Sequence, residues 1–156
     1  MKKELIIKIV GYLLIAMMIG TVLFIFINSM LPPEKSTEQS DTIKDIIVEI
    51  LPDNSKAESF VEEYIRKIAH FTEFTALGMC LAWLHGMLGK GKKQAFFWGV
   101  LAASVDETIQ RFVPDRGPAV KDVCIDSAGV LTGIILLWFG YNYLKKRSAK
   151  LSLDDM

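Results

Sequence analysis

The chain has 156 residues, is 51% hydrophobic and 23% charged, and balances 18 Lys+Arg against 18 Asp+Glu. That length fits one domain, and the lack of a basic surplus excludes the electrostatic footprint of a nucleic-acid binder. A mean hydropathy of +0.33 exceeds the usual soluble range because the apolar residues are gathered into a few long runs.

The first run, Leu5 to Ile27, is broken only by Lys8 and Thr21. As a helix of about 23 residues it measures about 34 Å, enough for a hydrocarbon core of roughly 30 Å. Met1-Lys2-Lys3 before it would also suit a signal peptide, but the run is long for one and Asn28-Ser29-Met30 makes a poor cleavage site. It is read as a retained first membrane helix. Leu31-Pro32-Pro33 stops it, because proline lacks the amide hydrogen and clashes with the preceding turn. After a polar stretch, Ile43, Ile46, Ile47, Ile50 and Leu51 line one helical face, with Lys44, Asp45 and Glu49 opposite. This amphipathic helix either packs on the protein, the favoured reading, or lies in the membrane interface, where an acidic polar face is atypical.

Ser55 and Glu58 have capping-box spacing and open a helix. It runs on into a second span, Ala69 to Leu88, apolar apart from His70, Thr72, Glu73, Thr75 and His85. Gly89 to Lys93 is a tight basic turn. Ala95 to Val113 is a third span carrying Asp106, Glu107 and Gln110 near its end, Pro114 to Pro118 a turn, and Val123 to Tyr143 a fourth span with Asp126 near its start. Ser148 to Met156 reads as a polar tail. Cys80 and Cys124 have no C-x-x-C spacing and read as inert small hydrophobes within apolar runs.

With four spans, Lys2 and Lys3, then Lys90, Lys92 and Lys93, then Lys145, Lys146 and Arg147 fall on one side. The positive-inside rule makes that side, with both termini, cytoplasmic. Residues 28–66 and the 114–121 loop then lie outside. Removal of the first segment would leave three spans and the same outer side. Counted from the outer ends at 1.5 Å per residue, His70 lies about 5 Å deep and Glu73 about 9 Å. Gln110, Glu107 and Asp106 lie about 5, 9 and 10 Å deep, and Asp126 about 6 Å. Three helices therefore bring ionisable groups to one shallow layer. Such groups inside a membrane are expensive and mark function by default.

Facing agrees with depth. Lys67, His70, Glu73 and Phe74 share a helix face, as do Asp106 and Gln110. Asp106 and Glu107, being adjacent, cannot both point straight inward. Asp122, Asp126, Gly129 and Gly133 form a stripe, and Gly129-x-x-x-Gly133 lets membrane helices approach closely. Arg116, on the loop above, can close the cluster with a bidentate contact to carboxylate or phosphate. Each residue alone has a blander explanation. His70 could bond between helices, Lys67 and Arg116 could reach lipid headgroups, and Asp122 could cap the fourth helix. A purely structural bundle, however, gains little from several carboxylates below the interface.

Lys67-x-x-His70-Phe71-x-Glu73-Phe74-x-x-Leu77-Gly78, then Asp106-Glu107-x-x-Gln110-x-Phe112-x-Pro114-x-Arg116, then Asp122-Val123-x-x-Asp126-x-x-Gly129 resemble the motifs of the VanZ-like family of bacterial membrane proteins. The resemblance covers roughly residues 66–138 and leaves the first span and residues 28–55 outside. It implies a small multi-span membrane protein and, through the family's founding member, a link to resistance against the glycopeptide teicoplanin, which acts outside the membrane.

The expected fold is an all-α, polytopic membrane helix bundle of four transmembrane helices plus an extracellular amphipathic helix. Its parts are an N-terminal transmembrane helix (1–28), an extracellular segment (29–66), a three-helix core (67–147) and a cytoplasmic tail (148–156). The first functional reading is an enzyme acting on an envelope lipid or lipid-linked cell-wall precursor. His70 is its general acid or base, Glu73 or Glu107 its partner, and Asp126 completes the site. Lys67 and Arg116, with Asp106, Gln110 and Asp122 nearby, bind the headgroup. No nucleophilic serine motif appears. No metal signature such as H-E-x-x-H appears either, although the same His and carboxylates could hold a divalent ion. The second reading is a non-catalytic binder of headgroups, precursor or drug. The third is ion or proton movement, disfavoured because only His85 continues a path inward.

Overall fold

The computed structural model describes residues 2–31, 55–114 and 119–154. Among them are four helices and no strand: α1 (Lys2–Met30), α2 (Ser55–Met87), α3 (Lys92–Gln110) and α4 (Val120–Asp154). The all-helical expectation holds. α1 and α4 are long and apolar enough to cross a membrane, over Glu4–Met30 and Val120–Ser148. The amphipathic helix expected over residues 43–51, and Arg116, lie outside the described residues.

α2 begins at Ser55 and runs unbroken into the second apolar segment, as its capping-box spacing implied, carrying Arg66 and Lys67 on the same rod as His70. α1 continues through Ser29. The boundaries drawn at 28/29 and 66/67 therefore fall inside helices. α4 also extends into the expected polar tail, to Asp154, because nothing helix-breaking follows Gly140. α3 stops at Gln110, three residues before the expected end. Phe112 and Val113 there donate to the carbonyls of Ile109 and Gln110, at 3.0 and 3.1 Å, in tightened turns before Pro114, whose ring disfavours helix in the residue preceding it.

The basic turn between α2 and α3 is built as expected. Gly89 takes a left-handed φ of 67°, and the Lys90 amide donates to the His85 carbonyl at 2.7 Å. This is the glycine-terminated closure that satisfies the last carbonyls of a helix.

α2 packs most extensively on α4, α3 lies against both, and α1 covers α2 and α3. Small residues set the spacing. Ala95 and Ala103 of α3 are fully buried, and a methyl added at Gly99 between them would strike the Val130 side chain of α4. A methyl at Gly129 would lie 2.6 Å from the Phe71 carbonyl oxygen, and one at Gly133 would overlap the Thr75 carbonyl. The glycine stripe is thus the face on which α4 meets α2. Phe74, Leu77, Leu81, Val130, Ile134 and Ile25 fill the core.

Polarity is distributed the opposite way from a soluble bundle. Phe97, Trp98, Leu136, Phe139 and most large side chains of α1 are exposed. Ser29, Asp106, Glu107 and Asp126 are buried. An apolar exterior around buried polar groups is the arrangement a lipid surround favours. Cys80 is buried as expected, whereas Cys124 lies on the exposed surface of α4.

Candidate functional site

The buried polar groups gather at the end of the bundle where α1 and α3 finish and α4 begins. Constant rise along each helix brings His70, Asp106 and Asp126 to one level, and packing turns them toward each other. His70 Nδ1 lies 3.9 Å from Glu73 Oε2 and 3.9 Å from Asp106 Oδ2. One ligand atom from each of His70, Asp106 and Asp126 falls within 4.8 Å of the other two.

Above this layer opens a small cleft, part of it open to the surroundings. α2 lines it with Arg66, Lys67 and His70, α3 with Gln110, and α4 with Asp122, Asp126 and the apolar wall of Ile125. Cations therefore stand at the mouth, and the imidazole and carboxylates below. Such a cleft can take an anionic group between its cations and present it to proton-transfer groups.

Several polar contacts hold the arrangement. Gln110 donates to Asp106 Oδ2 at 2.7 Å and to Ser29 Oγ at 3.3 Å. Asn28 donates to Glu73 Oε1 at 3.0 Å. Glu107 Oε1 accepts the amide of Ala119 at 2.6 Å and so pins the start of α4. At the mouth Lys67 is hydrogen-bonded to Glu63, which also faces Lys121 Nζ at 3.7 Å. The hydrogen bond and charge of Lys67 hold the Glu63 carboxyl below its usual range, against some desolvation, and Lys121 and Arg66 add to the effect.

A family model described as VanZ/LLP1 matches residues 9–141. The chain belongs to the VanZ/LLP1 family. It is accordingly a VanZ-like membrane protein, as its motifs imply. No curated protein and no solved structure matches it. The match reaches well into α1, further than the motif resemblance over residues 66–138, and the structure gives a reason, because α1 supplies part of the polar layer.

The VanZ/LLP1 frame brings most of the expected residues together. His70, Glu73, Asp106, Gln110 and Asp126 share the layer, and Lys67 and Asp122 stand at its mouth. Asp106 and Glu107 are both buried, at 0% and 6% exposure, although adjacent positions were not expected to face inward together. The bundle reconciles them by giving each a different inside: Asp106 faces His70 and Gln110, and Glu107 faces the first residues of α4. His85 lies apart, its Nδ1 2.8 Å from the Leu81 carbonyl of its own helix.

Three participants belong to no sequence motif. Asn28 and Ser29 end the first apolar run, and two polar residues closing that run are the sequence signal for them. Arg66 stands four residues before His70, on the same helix face.

Proposed function

We propose that the protein binds the anionic headgroup of an envelope lipid or lipid-linked wall precursor in this cleft, at the outer membrane surface, and modifies it. The reading takes four spans with both termini cytoplasmic, which the clustering of lysine and arginine in alternate loops supports. The observation that carries it is the stacking of Arg66 and Lys67 over His70 and Asp126 in one open cleft, with Asp106 buried behind His70. The cations take the phosphate or carboxylate of the headgroup. His70, 3.9 Å from two carboxylates, is the group whose ordinary pKa suits proton transfer near neutral pH. Glu73, held by Asn28, orients it.

A non-catalytic binder is favoured by a different observation: Asp106 and Glu107 are already engaged by Gln110 and the start of α4. Comparison of lipid and precursor extracts by mass spectrometry, from cells with wild type, His70→Ala or no protein, separates the two. A species whose mass changes with wild type and not with His70→Ala is the expected result. Identical extracts, with His70→Ala and Glu73→Gln weakening headgroup binding in parallel, would leave the binder. The same cells test the family's link to glycopeptides: an altered precursor should raise teicoplanin tolerance, and an altered bulk lipid should not.

A further inference from the structure

The geometry points to a divalent-cation seat formed by His70, Asp106 and Asp126, each contributed by a different helix. One ligand atom from each lies within 4.8 Å of the other two. Tetrahedral zinc at roughly 2.1 Å from its ligands sets them about 3.4 Å apart. The three side chains therefore need to close by up to about 1.4 Å, within reach of rotation about their own bonds.

Asp126 supplies a second, independent observation. It is 3% exposed and makes no hydrogen bond or ion pair among the described residues, while Asp106, Asp122, Glu107 and Glu73 act on it as like charges. Its carboxylate nevertheless lines the cleft. Two buried carboxylates, Asp126 and Asp106, gathered around one imidazole call for a compensating charge. Lys67, the nearest lysine of the cleft wall, is engaged by Glu63. A cation between Asp126, Asp106 and His70 supplies the missing charge.

The donor set selects the ion. One imidazole and two carboxylates suit zinc or manganese rather than calcium, which takes oxygen ligands alone. Three protein ligands leave a coordination position open toward the cleft, as in catalytic rather than structural sites. Gln110 holds Asp106 from behind and is itself tied to Ser29, the kind of outer contact that orients a metal-binding carboxylate. No local motif announces the seat, because its ligands are far apart in the sequence.

This deepens, and rests on, the reading of the cleft as the working site. With the ion in place His70 is a ligand, Glu73 is the group left to accept a proton, and a headgroup oxygen reaches the open position while Arg66 holds the anion.

The test is titration of Zn²⁺ and Mn²⁺ into the chelator-treated full chain in detergent, followed by calorimetry and metal analysis. One ion per chain is expected for wild type and Gly140→Ala, where an added methyl meets nothing. Binding weakened about tenfold or more is expected for Asp126→Asn and Asp106→Asn, at unchanged helix content. No stoichiometric binding of either ion to wild type, or equal binding by wild type and both Asn variants, overturns the seat. Because the readout is the ion, the outcomes separate. Altered lipid extracts without ion binding remove the seat and keep the functional reading, and ion binding without altered extracts does the reverse.

Discussion

At the scale of single residues, the site depends on side chains that look unremarkable in the sequence. Asn28 donates its side-chain amide to Glu73. Asn28→Ala should leave helix content unchanged, cost about 1–2 kcal/mol through the unpaired carboxyl oxygen, and reduce function as Glu73→Gln does. Thermal unfolding in detergent beside the lipid assay checks both parts. Glu63 acts in the opposite sense, since it competes with any headgroup for Lys67. Its carboxyl is held below the usual range chiefly by Lys67. A depressed pKa means the pair is intact at neutral pH and is lost as pH falls through that lowered value, so acid frees Lys67. Glu63→Gln should therefore tighten binding of anionic-lipid vesicles at neutral pH by about two- to fivefold and flatten the acid dependence. Equal vesicle binding by wild type and variant across that range would show that Lys67 takes no part.

At the scale of helices, the contact of α2 with α4 fixes the width of the cleft. Gly133 meets the Thr75 carbonyl and the Met79 amide, backbone groups that cannot turn aside, whereas nothing lies within 4 Å of a methyl placed at Gly140. Gly133→Ala should destabilise the bundle by about 1–3 kcal/mol as the helices part. Gly140→Ala should be neutral or gain up to about 1 kcal/mol from helix propensity. Melting curves of the two variants in the same detergent distinguish close packing from a general intolerance of substitution. The sequence signals this packing through its small residues, and Gly129-x-x-x-Gly133 was legible in advance. The matching face of α3, Ala95-x-x-x-Gly99-x-x-x-Ala103, has the same spacing and turns out to seat Val130.

At the scale of the whole molecule, an apolar exterior and a polar layer at one end make a prediction about sidedness. In a background with Cys80 and Cys124 replaced, Ala119→Cys should react with a membrane-impermeant maleimide on intact cells. Gly91→Cys should react only after permeabilisation. The reverse labelling would put the cleft on the cytoplasmic side and remove envelope precursors as its ligands.

The sequence by itself determined the helices and the level of the polar residues along them. Apolar runs and a constant rise per residue place His70, Glu73, Asp106, Gln110 and Asp126 at one level without reference to any partner helix. The tertiary structure decided which way each of those residues points. The rotation of a helix about its axis is set by how its neighbours pack, here by Val130 against Gly99 and by Gly129 and Gly133 against α2. That rotation separates Asp106 from Glu107, brings Asn28 and Ser29 of α1 into the layer, and turns Asp126 toward His70. Such contacts join residues far apart in the chain, so no local spacing encodes them.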